Sequence, residues 1–272
     1  MSFQPCKDCI QGYSLDGEPK GHMEENGDGN MSYYLSPGKG SNGGEKKAIV
    51  LGTDMFGLVL NNPRIMADWF AATTGFDCFV PDLFDGDYID TTLIKPQLDL
   101  MDEPMKPKPW YSRWSAMAQI IWTFLWKIGP SWIKKHSVAS SAPRMERFCQ
   151  ALKEEKGYTH IGVLSTLLAT APSPIDVLVA VHPGSGAGEE HFKAIRKPFA
   201  LILAEEDITF DSKKSMAISV LDDLHKTQSV PTIVHDDHPG TTHGFAARPP
   251  PQAMKEFERT LVQTKEWFDE HL

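Results

Sequence analysis

The chain has 272 residues, 41% of them hydrophobic, enough for one large α/β domain with a well-buried core. A formal net charge of −9 argues against nucleic acid as a partner, because phosphate contacts need clustered Lys and Arg. The start MSFQPCKDCIQGYSLDGEPKG lacks a basic stretch followed by an apolar one, so the expected location is cytoplasmic.

Residues 1–44 are rich in Gly, Asn and Asp, and only MSYYLS reads as extended. Cys6 and Cys9 form a lone C-x-x-C with no second Cys/His pair nearby to complete a zinc site. KKAIVLG then reads as a buried strand, NPRIMADWFAATTG as a helix with apolar residues at helical spacing, and GFDCFVPDLF as a strand running into a turn. Cys78, in that strand, belongs to the core; Cys149, in the helical pattern PRMERFCQALKEEKG, is expected half-buried. Downstream, THIGVLS, IDVLVAVHPG, KPFALILAEED and PTIVHDD read as strands. SKKSMAISVLDDLHKT and PPQAMKEFERTLVQTKEWFDEHL read as helices. Strands alternating with helices imply a mostly parallel sheet covered on both faces, within a single domain over residues 1–272.

Residues 91–137 break the alternation. They carry Pro, Met and five of the seven Trp, and read as a helical cap inserted over the sheet. Its apolar run, from about Trp114 to Trp126, falls short of the roughly 20 residues that a membrane span needs. The tryptophans could line a substrate pocket, fasten the cap to the domain, or touch a membrane surface.

Three stretches carry chemistry. LGTDMFGLVLNNPRIMADWFAATTGFDCFVPDLFDGD, LAEEDITFD and DDHPGTTHGFAARPP together resemble the dienelactone hydrolase family of α/β-hydrolases. The leader CKDCIQGYSLDGEPKG, the HPG after a strand and the C-terminal helix look like its fungal members. The resemblance runs over nearly the whole chain. It implies an α/β-hydrolase fold, a Cys-His-Asp triad, no metal or other cofactor, and a small-molecule ester or lactone as substrate. It matches His243 to the family's catalytic histidine and Asp207 to its acid. Asp54 stands where many members place a glutamate that engages the nucleophile, and the Met55 backbone N–H matches an oxyanion-hole donor.

The residues support part of this on their own. Asp207 and His243 each follow a strand, so both loops leave the sheet at its carboxyl edge, where open α/β sheets bind ligands. The order acid-then-histidine is that of α/β-hydrolases. Taken alone, His243 could be a turn residue and Asp207 a helix cap; the resemblance selects the catalytic roles. His182 and His235 read as ordinary strand-end histidines.

The nucleophile is the gap in the pattern. The family has a strand, then G-x-C-x-G-G, then a helix, and VLSTLLAT contains neither Cys nor Gly. In an ungapped register Leu167 takes the nucleophile's slot; otherwise the segment is short by roughly seven residues against the family pattern. The crossover at 164–175 is also brief for a parallel connection, so either the following strand is expected displaced or the crossover itself frayed. Three readings remain: a hydrolase with Ser165 as substitute nucleophile (Thr166 and Ser173 being poorer placed), a binding protein or His243 general-base enzyme without a covalent intermediate, or an inactive variant of an ordinary member. Nothing in the sequence encodes the oligomeric state.

Overall fold

A computed structural model describes residues 14–26, 31–40, 45–89, 110–165, 173–184, 186–207 and 209–272. Cys6, Cys9, Thr166, Leu167 and the first part of the 91–137 insertion lie outside them.

Eight strands form one sheet: β1 (His22–Glu25), β2 (Ser32–Ser36), β3 (Lys47–Leu51), β4 (Asp77–Pro81), β5 (His160–Ser165), β6 (Val177–Val181), β7 (Phe199–Ile202) and β8 (Thr232–His235). Their spatial order is β1-β2-β4-β3-β5-β6-β7-β8. The β1–β2 and β2–β4 pairings are antiparallel and the rest parallel. The order folds outward from β3, which lies between β4 and β5, so the carboxyl ends of β3, β5, β6, β7 and β8 share one edge.

Every residue of β4, β6 and β7 is buried, as continuous apolar runs demand when both faces are covered. One face is covered by α1 (Asn62–Thr74) and α7 (Met254–His271). Pro63 opens α1, where its missing N–H costs nothing, and Gly75 closes it in the left-handed conformation (φ 79°). In α7, Phe257, Leu261, Thr264 and Phe268 recur at helical spacing and are buried; Phe268 meets Phe70 of α1 edge-on at 6.4 Å. Opposite them β5 carries Gly162, where a Cβ would come within 2.7 Å of the Phe268 ring and of Leu272 Cδ1. The bare backbone there lets the helix sit close to the sheet.

The other face is covered by α4 (Val138–Glu154), the short α5 (Glu189–Lys193) and α6 (Lys214–Gln228). Phe148 of α4 packs edge-on against Tyr33 (5.3 Å) and Phe79 (6.0 Å). Cys78 and Cys149 are both wholly buried. The expectation of a half-buried Cys149 is therefore corrected: its helix turns that position straight into the core. Burial pushes both thiols up, away from reactivity.

The short crossover does not disturb the sheet. β6 pairs with β5 in regular register from Gly162↔Val177 to Ser165↔Ala180, contrary to the expected displacement. The buried pairs between the two strands hold this register.

The inserted segment contributes α2 (Trp110–Thr123), a π-helical turn (Phe124–Ile128) and α3 (Pro130–Lys135). Trp132 fastens it: its ring stacks on Phe84 at 6.0 Å and its Nε1 donates to the Asp87 carbonyl at 2.8 Å. Lys135 and His136 add contacts to the Asp87 carboxylate at 2.9 and 3.0 Å.

Candidate active site

The loops after β7 and β8 are stitched together before they present any chemistry. Glu206 and Thr242 form an isolated parallel bridge, and the Glu206 N–H donates to the Thr241 carbonyl at 3.1 Å. The Glu205 N–H donates to Thr241 Oγ1, and the Gly240 N–H donates to the Glu205 carboxylate at 2.6 Å. One residue beyond the bridge on each side stand Asp207 and His243.

His243 Nδ1 lies 2.9 Å from Asp207 Oδ2. The other carboxylate oxygen accepts from Thr209 twice, from its backbone N–H at 3.0 Å and its hydroxyl at 2.6 Å. That hydroxyl oxygen is also 3.1 Å from His243 Nδ1. Asp207 is buried, and burial alone would raise its pKa. The hydrogen bond and charge of His243, with the Thr209 hydroxyl, outweigh that and leave the carboxyl below its ordinary value. An ionised Asp207 accepting from Nδ1 fixes the imidazole tautomer and leaves Nε2 as the basic nitrogen. Asp207 is no helix cap: α6 starts seven residues later, after a 3-10 turn.

His182, at the end of β6, belongs to the same site. Its ring meets His243 edge-on at 5.0 Å and lies 5.9 Å from Phe245. It has a positive φ of 35°, unusual for a residue with a side chain, and it is buried with Nδ1 unpaired among the described residues. Burial first, and the neighbouring His243 second, hold its pKa down to about 3. It is thus no ordinary strand-end histidine. The signal in the sequence was the HPG turn, which places a histidine at a chain reversal on the ligand-binding edge.

On the β3 and β5 side, Asp54 is engaged by a cation. Its Oδ2 accepts from Arg248 Nε at 3.0 Å and its Oδ1 from the Phe56 N–H at 3.0 Å. The Arg248 guanidinium lies over the Phe56 ring at 4.6 Å. Met55 occupies the turn after β3, its carbonyl accepting from Ile89 N–H at 3.2 Å. Ser165 ends β5 and is 4% exposed. A Cβ on Gly52 would come within 2.5 Å of its Oγ, so the hydroxyl sits tightly against the bare β3 backbone.

A cavity of about 50 Å³ on this side reaches as far as His182, with Gly52, Asp54, Met66, Ser165 and Arg248 also in its wall; Asp207, His243 and Met55 do not line it. It is mostly apolar, and Phe56 is its aromatic residue. No described tryptophan of the insertion lines it, so of the three readings of those tryptophans, pocket lining does not apply to this cavity. The site therefore gathers Asp207, His243 and His182 at one end and Asp54, Met55 and Ser165 near the other. Thr209 and Arg248 escaped the sequence reading because each acts only by supporting a carboxylate, Thr209 that of Asp207 two residues before it and Arg248 that of Asp54, 194 residues away.

A parallel sheet covered on both faces, with an acid after one strand and a histidine after the next, defines an α/β-hydrolase fold. The family model of the dienelactone hydrolase family matches residues 33–272, and the chain belongs to that family. A curated relative, the hydrolase pyvD of Aspergillus violaceofuscus, is 24% identical over 282 residues, spanning 100% of this chain and 98% of the relative. Solved structures share the fold at lower identity. A dienelactone hydrolase from Anabaena variabilis superposes with a TM-score of 0.56 at 11% identity, covering 94% of this chain and 100% of its own. The Pyrococcus furiosus esterase Pf2001 gives 0.54 at 13%, covering 93% of each chain.

Proposed function

We propose that this chain hydrolyses carboxylic ester or lactone bonds in small molecules, with His243 as general base and Asp207 as the acid that orients it. The observation that carries the reading is the 2.9 Å contact between His243 Nδ1 and an ionised, buried Asp207 on the ligand-binding edge of the sheet. Family membership and the esterase-like fold support the same chemistry.

The attacking group in this reading is water. His243 Nε2 takes a proton from a water molecule whose oxygen attacks the substrate carbonyl carbon, and the carbonyl π pair moves onto its oxygen. The Met55 N–H donates to that oxyanion. On collapse the C–O bond breaks, and the imidazolium returns its proton to the departing alkoxide. Asp54, clamped by Arg248 and by the Phe56 N–H, acts as a positioning residue for the Met55 turn. Residues 91–137 belong to the same single domain as a cap.

Water is preferred to Ser165 because that hydroxyl is buried against Gly52 and no glycine flanks it in the strand. A nucleophile elbow needs a sharp exposed turn, and β5 stays in its ladder through Ser165. The test is hydrolysis of p-nitrophenyl acetate and a small aliphatic lactone by the wild type, His243→Gln and Ser165→Ala. Turnover lost with His243→Gln and kept with Ser165→Ala is expected. Turnover lost with Ser165→Ala, together with an acyl adduct by mass spectrometry, would replace water by the serine. Saturable binding of the esters without turnover would make the chain a binding protein.

A further inference from the structure

The insertion carries an apolar stripe that faces solvent. Trp114 is 68% exposed, Trp122 62% and Trp126 70%, and Tyr111, Ile121 and Leu125 are at least half exposed. Their spacing (111, 114, 121, 122, 125, 126) puts all six on one side of α2 and its π-helical continuation. Thr123, on the opposite side, is buried. The carboxyl end is held to the domain, where Ile128 and Trp132 pack against Phe56 and Ile89. An exposed stripe of this size on a single helix marks an interaction surface.

Charge indicates which surface it meets. The chain carries −9 overall, yet from residue 104 to residue 145 there is no Asp or Glu, while Arg113, Lys127, Lys134 and Lys135 fall within that stretch. Lys134 is exposed. Aromatic residues with flanking cations are what the boundary between lipid headgroups and acyl chains selects. Among the described residues no helix is long and apolar enough to cross a membrane, so such a helix would lie in the surface plane.

We propose that α2 and its π-helical turn dock this protein onto an anionic lipid surface, the Trp114–Trp122–Trp126 stripe entering the interface and the acid-free basic stretch meeting the headgroups. The contact does not depend on the hydrolytic reading. Because α3 is pinned to the Phe84–Ile89 loop, which adjoins the Met55 turn, docking would bring the surface close to the proposed oxyanion donor.

The test is co-sedimentation of the full chain with vesicles of phosphatidylcholine alone and of phosphatidylcholine with equimolar phosphatidylserine. Binding to the anionic vesicles is expected, weakened by salt, at least tenfold weaker for the Trp114→Ser/Trp122→Ser/Trp126→Ser variant and roughly fivefold weaker for Lys134→Ala. Quenching of wild-type tryptophan emission by brominated phosphatidylcholine, in the same anionic mixture, reads insertion without any variant. The proposal is overturned if the wild type pellets with neither vesicle. It is equally overturned if the triple variant binds as the wild type does while brominated lipid leaves the emission unquenched. Concentration-dependent dimerisation that shields these tryptophans and prevents vesicle binding would assign the stripe to a second copy instead.

Discussion

The two ends of the candidate site are held by different means. Around β7 and β8, Asp207 and His243 are set by hydrogen bonds that cross between loops, from Glu205, Glu206, Thr209 and Thr241. Around β3 and β5, Ser165 packs tightly against Gly52, and Asp54 is held by Arg248 and the Phe56 N–H. The first end brings a buried carboxylate and an imidazole into hydrogen-bond contact. At the second, β5 stays in its ladder through Ser165, on the side where the family pattern places its nucleophile. Asp207 and His243 are thus joined by hydrogen bonds between two loops, while Ser165 on the other side stays within the regular ladder of β5 and β6.

The sharpest break of this contrast is His243→Gln, which should lower ester kcat/KM by about 10²–10⁴-fold if His243 is the base, with little change in thermal midpoint. The measurement is an initial-rate assay beside a melting curve. On the packing side, Gly162→Ala should destabilise the fold by about 1–3 kcal/mol, because the new methyl meets Phe268 and Leu272; urea unfolding would show it, and an unchanged midpoint would refute the close approach.

His182 links the two ends and offers a pH handle. Burial keeps its folded pKa near 3, whereas the unfolded chain takes up a proton near 6.5. Its contribution is complete above pH 6.5 and is lost as pH falls, by about 2 kcal/mol at pH 5. His182→Asn, a residue that tolerates positive φ, should flatten the fall in stability between pH 7 and pH 5. An identical slope in wild type and variant would show that the imidazole is not held neutral. Thr209→Val removes one hydroxyl from the Asp207 carboxylate and should cost roughly five- to tenfold in kcat, a loss of about 1 kcal/mol. The smallest effect is expected of Ser165→Ala, less than about twofold in kcat, since its hydroxyl takes no part in the water route.

Much of the fold was legible because apolar runs and helical spacing are strong where both sheet faces are covered. The strands at 47–51, 77–81, 160–165 and 177–181 and the helices at 62–74 and 254–271 stand where the pattern put them. β1 was missed because HMEE is an exposed edge strand without alternation, and α5 because five residues carry too little periodicity. α4 starts at Val138, well before the pattern around Met145 declares it, with Pro143 inside the helix. In the site, the juxtaposition of Asp207 with His243 follows from strand order, which sequence can supply by way of the family pattern. The pairing of Asp54 with Arg248 spans 194 residues and rests on the course of the loop after β8, which no local pattern encodes.

The bridge between Glu206 and Thr242 has a dynamic consequence. Because Asp207 and His243 each lie one residue beyond it, a fluctuation that lifts one loop must carry the other or rupture the bridge first. The dyad then breathes as a single body, and its spacing is insulated from slow motions of the site's rim. Amide hydrogen exchange would report this as common protection of Glu205, Glu206 and Gly240, lost together when the pair of loops opens.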